Sequence, residues 1–523
     1  MNSPPPNLSR LIDYVDWYAR NAPHTLAVAG HGERLSYADL SKRVRECAAA
    51  LAARGVGRGD RVATLSTPGG AFVVTFLATS LVGAIWIGFN PRHTPAELDA
   101  AIGVLDPKLV FVRDAVEGKR YDAWATTLTG RSSVVALADG TANALIPFAV
   151  GKRVEPEMLS AMADLVDPDE PCLIVFTSGS SGKPKGVMIS QRALVGASLV
   201  QCAQWPASPL RVLNNLPINH IGCVGDLFCY ALIGGGTTVF SERFDPADTM
   251  ALLRSERATV LGQVPTQFIL MLDSPAFDPN ALASLQLIFW GGAAASRELI
   301  ARLKHFGKRV STSYGQTETV GSVTFVPADA DTDTLATTVG RAVAPYRLRI
   351  VAEAGQVVSE GEPGEIQVHS PFRMNGYWRN PEATARAITE DGWLRTGDIG
   401  RLTADGALTL VGRTTDTFKS GGYNIYPAEI EAAIASYPNV AEVAVVAVAD
   451  PVFGAVGMAM VSGQPGASLT EQALRAHLGE RLANYKIPKR IVVSESLPKL
   501  PVGKIDKNTV RETLAAEANR RKC

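Results

Sequence analysis

CLIVFTSGSSGKPKGVMI, residues 172–189, decides the architecture. It opens with the apolar β-type run Cys172-Leu-Ile-Val-Phe176 and closes with another, Val187-Met-Ile189. Between the runs lie Gly179, Gly182 and Gly186, several hydroxyls, and Lys183 and Lys185. Glycines let backbone N–H groups turn toward a polyanion without Cβ obstruction, and the hydroxyls and ammonium groups add donors and charge. Holding a triphosphate requires that set. A Walker A loop runs Gly-Lys-Ser/Thr into a helix. Here Pro184 follows Gly182-Lys183, so that reading is rejected. A featureless linker rarely separates two buried β-type runs, which sets aside a merely flexible loop.

Working outward, helical patterns alternate with short β-branched runs through the first 300 residues. Residues 40–54 read as an amphipathic helix, and 61–65 and 109–112 as strands, an alternation that argues for parallel sheets flanked by helices. Residues 71–89 form a 19-residue stretch without a charge, close to a membrane span in length. Its Thr75, Thr79, Ser80 and Gly83, and the run Ile85-Trp-Ile87 ended by Asn90-Pro91, favour a buried helix followed by a buried strand. After Thr338 glycine-punctuated segments such as 365–369 and 407–411 suggest antiparallel strands or a small barrel. From about Thr414 a compact βα pattern returns, with a strand at 443–448 and a helix at 471–483. The expected fold is therefore α/β: a large N-terminal domain of parallel sheets flanked by helices with a small antiparallel β-barrel subdomain, and a small mobile α+β C-terminal domain. The boundary is placed near residues 413–416, giving 1–413 and 414–523.

A chain of 523 residues, 46% hydrophobic and 20% charged, is an ordinary globular protein too long for one core. Lys plus Arg equals Asp plus Glu at 51 each, so nothing advertises a nucleic-acid partner. Residues 482–523 carry ten basic against four acidic side chains, which reads mainly as solvated surface. The six cysteines, Cys47, Cys172, Cys202, Cys223, Cys229 and Cys523, are scattered without a C-x-x-C pair, so neither a zinc site nor a disulfide framework is expected. With no secretory pattern in residues 1–10, a cytoplasmic protein is expected. A homodimer is the default assembly.

The loop resembles the first core motif of the adenylate-forming superfamily, which includes acyl-CoA synthetases, luciferases and peptide-synthetase adenylation domains. Ser181 stands where that family usually has threonine, and it keeps the hydroxyl. Five further segments match in order. Ser313-Tyr-Gly-Gln-Thr-Glu318 pairs a hydroxyl with a carboxylate, as magnesium beside phosphates requires. The resemblance implies that Tyr314 stacks on adenine, Thr317 touches the α-phosphate and Glu318 serves the metal, with Gly315 shared by nucleotide and acid. Gly291-Gly292-Ala293, after the run Leu287-Ile-Phe-Trp290, matches the wall of the adenine and acyl pockets. In Gly392-Trp-Leu-Arg-Thr-Gly-Asp398 a carboxylate on a turn can accept from both ribose hydroxyls, and Asp398 matches the ribose-binding Asp, with Arg413 a second nucleotide contact. Lys419-Ser-Gly-Gly422, with Gly421 and Gly422 allowing close approach, matches the loop lining the pantetheine channel of CoA. Gly503-Lys504-Ile505 matches the catalytic-lysine motif, so Lys504 is expected to bridge the acid and the α-phosphate. The family hinge falls on Thr415, where Asp or Lys is usual.

The resemblance covers nearly the whole chain and implies an acid:CoA ligase using ATP, Mg2+ and CoA. The acid is activated as an acyl-adenylate, with Lys504, Glu318 and Thr177 as the catalytic groups. Thr177, Ser178, Gly179, Ser180, Ser181, Gly182 and Lys185 would hold the phosphates. His220 is assigned to the acid, with Cys223, Val224, Leu227 and Phe228 lining an apolar pocket for an aryl or short-to-medium aliphatic acid. Asp226 could meet an amine or pair locally. A carrier protein or an amine is the rival acceptor; Gly421-Gly422, and no carrier domain after Cys523, favour CoA. A non-catalytic nucleotide sensor is the rival of a different class.

Overall fold

The computed structural model describes residues 5–128, 130–177, 184–420, 423–499 and 505–520. The chain divides into two compact units. The first comprises Met1–Leu348, Val368–Arg395 and Gly406–Leu408, and the second Arg349–Gln367, Thr396–Asp405 and Thr409–Cys523.

Among the described residues the first unit builds two sheets of seven and nine strands. In the smaller, Pro171–Thr177, Ile85–Phe89, Arg61–Leu65, Leu109–Arg113 and Ser133–Leu137 run parallel, and Lys185–Ser190 and Gly376–Tyr377 close one edge antiparallel. In the larger, Leu26–Gly30, Thr237–Phe240, Arg211–Asn214, Val260–Gln263, Leu287–Trp290 and Arg309–Gln316 run parallel in that spatial order. Antiparallel Gly321–Phe325 follows and then Arg341–Ala342 at that edge, and Glu33–Ser36 forms the other.

The uncharged stretch is a fully buried helix, Gly70–Leu81, followed by the fully buried strand Ile85–Phe89. Phe72, Phe76, Trp86 and Phe228 pack there with ring centroids 5.3–6.3 Å apart. Thr75 Oγ1 donates to the Ala71 carbonyl at 2.8 Å, Ser80 Oγ to Phe76 at 2.9 Å and Trp86 Nε1 to Thr64 Oγ1 at 3.0 Å, whereas the buried Thr79 Oγ1 has no partner. Among the described residues no helix is long and apolar enough to cross a membrane. The helix expected at 40–54 starts earlier, as Tyr37–Ala52. Ser36 Oγ accepts from the Asp39 N–H and Asp39 from the Ser36 N–H, both at 3.1 Å, a capping box that fixes the first turn.

The later β-rich segment is a four-stranded sheet, Arg347–Val351, Gly364–His369, Leu394–Leu402 and Leu408–Arg413, in chain order. In the second unit Val440–Asp450 pairs antiparallel with Gly454–Gly463, which pairs parallel with Arg490–Ser494. Alternation along these strands sends Val445, Val461 and Ile491 to the helices Pro427–Ala435 and Glu471–Gly479. It sends Val446, Met458 and Met460 to Val510 and Leu514 of the helix Lys507–Arg520. The basic C-terminal segment is paired surface: Lys486 meets Glu429 at 2.7 Å, Lys489 meets Asp450 at 2.9 Å and Lys507 meets Glu431 at 2.8 Å.

Candidate active site

Thr177 ends one strand and Lys185 begins the next, directly opposite in antiparallel register. The glycine-rich segment therefore joins two strands, whereas a Walker A loop leads into a helix. Ser178, Gly179, Ser180, Ser181 and Gly182 lie outside the described residues.

Val187, two residues beyond Lys185, pairs with Tyr377. The Lys185 ammonium stands 5.1 Å from the centre of the Tyr377 ring, and Tyr377 Oη donates to Glu318 Oε1 at 2.9 Å. The phosphate loop's last lysine and the expected metal ligand thus meet through one aromatic side chain. Burial, and the negative charge of Glu318, push the Tyr377 hydroxyl well above its ordinary pKa, so it stays a donor. Glu318 is 9% exposed, sits on the single turn Thr317–Thr319, and its carbonyl accepts from the Met374 N–H at 2.9 Å. Tyr377 escaped the sequence reading: its neighbours Asn375-Gly-Tyr-Trp-Arg-Asn-Pro381 carry only turn signals.

The other expected residues of this unit gather at the carboxyl ends of the larger sheet's strands, where open α/β sheets bind ligands. Gly291, Gly292 and Ala293 follow Leu287–Trp290, and Gly292 takes φ +78°. Tyr314 is buried and its N–H donates to Thr324 Oγ1 at 3.2 Å. Gly315 faces Ser322 across the strand pair, and a Cβ there would stand 2.0 Å from the Gly321 carbonyl oxygen. Only glycine fits. Thr317 is half-buried.

His220 is half-buried before a π-helical stretch, Gly222–Cys229. Here the structure corrects the expectation for the acid pocket. Cys223 and Val224 are 0% exposed and Leu227 is 1% exposed. Cys223, Val224 and Phe228 pack in the core around Gly70–Leu81, and Leu227 packs with Trp205 and Phe289. The partly open side carries Ile221, Gly222 and Asp226 instead. Asp226 Oδ1 lies 2.5 Å from where a Cβ on Gly321 would stand, next to the Ser322 N–H. Burial raises its pKa to about 7, against the lowering effect of that N–H.

In the second unit, Asp398 and Arg413 are brought together. Arg413 Nε lies 2.9 Å from Asp398 Oδ1, and Asp398 is 7% exposed. The Asp398 N–H donates to Thr396 Oγ1 at 3.1 Å, and the Thr414 N–H donates to the Gly397 carbonyl at 2.8 Å, holding the turn. Lys419 pairs with Glu353 at 3.2 Å on the surface. Gly421, Gly422 and Lys504 lie outside the described residues.

Two family models account for the chain: AMP-binding enzyme over residues 15–378 and AMP-binding enzyme C-terminal domain over 429–504. The chain belongs to the AMP-binding enzyme family. A feruloyl-CoA synthase from an Amycolatopsis species is 35% identical over 503 residues, covering 94% of this chain and 96% of that one. An indoleacetate–CoA ligase from Aromatoleum aromaticum is 34% identical over 519 residues, covering 97% and 98%. ATP-bound MatB from Rhodopseudomonas palustris superimposes with a TM-score of 0.85 at 30% identity, covering 97% of this chain and 99% of that one. The protein is an AMP-forming acyl-CoA synthetase of the adenylate-forming superfamily, using ATP, Mg2+ and CoA. The residues of the synthetase fit Mg2+: Glu318 is a hard oxygen donor, buried and fixed by the Tyr377 hydroxyl. Among the described residues no group of three or more His, Cys, Asp or Glu offers an all-protein cage. One carboxylate plus substrate phosphates is how Mg2+ is usually held.

Proposed function

We propose that this synthetase activates an aryl or short-to-medium-chain aliphatic acid with the residues named above. Thr177, Ser178, Gly179, Ser180, Ser181, Gly182 and Lys185 hold the phosphates and Glu318 holds Mg2+. Tyr314 stacks on adenine beside Gly291, Gly292 and Ala293, while Thr317 meets the α-phosphate. Asp398 and Arg413 take the ribose side, and His220 and Gly315 border the acid. The observation that carries this reading is the succession Lys185, Tyr377, Glu318, which joins the phosphate loop to the carboxylate expected to hold the metal. The names of the two relatives, each an aryl-acid ligase, support the aryl half of the substrate range.

The acid's carboxylate attacks the α-phosphorus of ATP, forming the acyl-phosphate bond as the bond to pyrophosphate breaks. Bound at Glu318, Mg2+ supplies charge neutralisation at the phosphates. Lys185 offsets charge on the departing pyrophosphate, and Lys504 bridges the attacking carboxylate and the α-phosphate, positioning both. The thiolate of CoA then displaces AMP through the channel formed by Lys419, Gly421 and Gly422. We place the boundary between the two domains at residues 413–414 and the hinge between the two steps at Thr415. A cytoplasmic setting suits the free, buried thiols of Cys47, Cys172, Cys223 and Cys229.

The test is pyrophosphate release from Mg-ATP across aryl, aliphatic and amino acids, with and without CoA. Turnover with aryl or short-to-medium aliphatic acids, dependent on CoA and yielding acyl-CoA, is the expected result. Turnover confined to long-chain or amino acids would overturn the substrate range. Release indifferent to CoA would replace it as acceptor.

A further inference from the structure

The turn that carries Glu318 ends on a residue in an uncommon backbone conformation. Val320 has φ 62° and ψ 42°, the left-handed region, where a side chain branched at Cβ crowds its own backbone. Among the described residues seven non-glycine residues take positive φ, and the other six are polar, unbranched at Cβ and exposed. Val320 alone is apolar, branched and buried, 2% exposed in the core that also contains Met374 and Tyr377.

Strained conformations persist only where the surroundings over-determine them, and they gather at functional sites. Around Val320 the bonds are in place to do so. Its N–H donates to the Thr317 carbonyl at 3.0 Å. Thr319, one residue earlier, spans the turn: its Oγ1 accepts from the Gln316 N–H at 2.8 Å and donates to the Gly321 carbonyl at 2.7 Å. Gly321 follows with φ 96°, so two successive residues of positive φ reverse the chain and bring Gly321 opposite Gln316 in the strand pair. Thr317 and Glu318 lie between the strand end at Gln316 and this reversal.

We propose that Val320 is a positioning residue for adenylation: its buried side chain anchors the left-handed reversal that aims Glu318 at the metal and Thr317 at the α-phosphate. The proposal rests on the roles given to those two residues above, and Val320 acts through them. With the isopropyl group seated in the core, the left-handed backbone is held. Without it, the backbone relaxes toward the right-handed or extended regions and the carboxylate turns with it. The rival is a plain core valine whose backbone strain has no bearing on the site. The two differ in how substitutions rank. Burial ranks valine above alanine above glycine. Backbone conformation ranks glycine above alanine, because glycine enters the left-handed region freely, whereas alanine keeps the penalty and has lost the anchor.

The experiment measures the Mg2+ concentration for half-maximal pyrophosphate release, and the melting temperature, for the wild type, Val320→Ala, Val320→Gly and Val320→Thr. Melting temperature should fall in the order valine, alanine, glycine. The Mg2+ requirement should rise by about tenfold in Val320→Ala and by distinctly less in Val320→Gly, reversing that order. Val320→Thr keeps the branched shape but buries a hydroxyl, so it should melt below the wild type with its Mg2+ requirement nearly unchanged. Its contrast with Val320→Ala decides the matter if the glycine variant fails to fold. A Mg2+ requirement that follows the melting order, or that stays put in Val320→Ala, overturns the proposal. Glu318→Gln is measured alongside and should raise the requirement in its own right. A Glu318→Gln enzyme with wild-type Mg2+ dependence would instead remove the metal reading, and the proposal with it.

Discussion

Tyr377 Oη donates to Glu318 Oε1 across 2.9 Å, joining residues 59 positions apart in the chain. The bond fixes which way the carboxylate points, and outer-shell partners of this kind tune metal binding by about 10–100-fold. Tyr377→Phe should therefore raise the Mg2+ concentration for half-maximal pyrophosphate release and lower kcat/KM by about tenfold or more. The melting temperature should change little, because an aromatic ring of the same shape remains. Initial rates across a Mg2+ titration check this; an unaltered Mg2+ dependence would detach Glu318 from the metal.

Gly315 tests backbone closeness rather than chemistry. Gly315→Ala sets a methyl 2.0 Å from the Gly321 carbonyl oxygen, and backbone on both strands must move. Overpacking of this kind costs about 1–3 kcal/mol. The variant should melt at lower temperature and lose adenylation. Both are read in one preparation, by thermal denaturation and by pyrophosphate release. A variant that melts like the wild type would show that the strand pair Arg309–Gln316 and Gly321–Phe325 yields freely.

How much of this was legible in the sequence depended on distance along the chain. The two β-type runs flanking the glycine-rich segment, the buried helix at 70–81 and the glycine turn at 291–293 are local patterns, and the structure has each of them. The helix start at Tyr37 was missed although the Ser36/Asp39 pair was there to be read. The helix after His220 failed for a different reason. Apolar side chains there have two apolar destinations, pocket or core, and periodicity does not choose between them. Cys223, Val224 and Leu227 went to the core because Phe72, Phe76 and Trp205 wait on those sides. Tyr377 reaches Glu318 only through sheet packing, which leaves no trace in spacing.

Lys504→Ala separates the two half-reactions. If this lysine bridges the carboxylate and the α-phosphate, its loss removes electrostatic stabilisation of the order of 3 kcal/mol from adenylation. Acid-dependent exchange of labelled pyrophosphate into ATP should fall by about a hundredfold or more. CoA thioester formation from a synthetic acyl-adenylate should be nearly unaffected, since the lysine has no role in that step. Loss of the second activity alone would reverse the assignment.

Asp226 makes a prediction about stability whose sign follows from its environment. Its ordinary pKa of 3.8 is raised to about 7 by burial. The Ser322 N–H beside it carries no charge. Between pH 4 and pH 7 the folded protein keeps a proton that the unfolded chain has lost, so this group's contribution falls as pH rises through that window and levels off above it. Asp226→Asn abolishes the titration while keeping the shape. The variant should gain stability relative to the wild type by roughly 1–3 kcal/mol on moving from pH 5 to pH 8, after discounting for its partial exposure. Urea denaturation of both proteins at the two pH values measures it. A difference between the two proteins that stays constant with pH would mean that Asp226 is ionised throughout, and that the pocket around it is wetter than its packing against Gly321 implies.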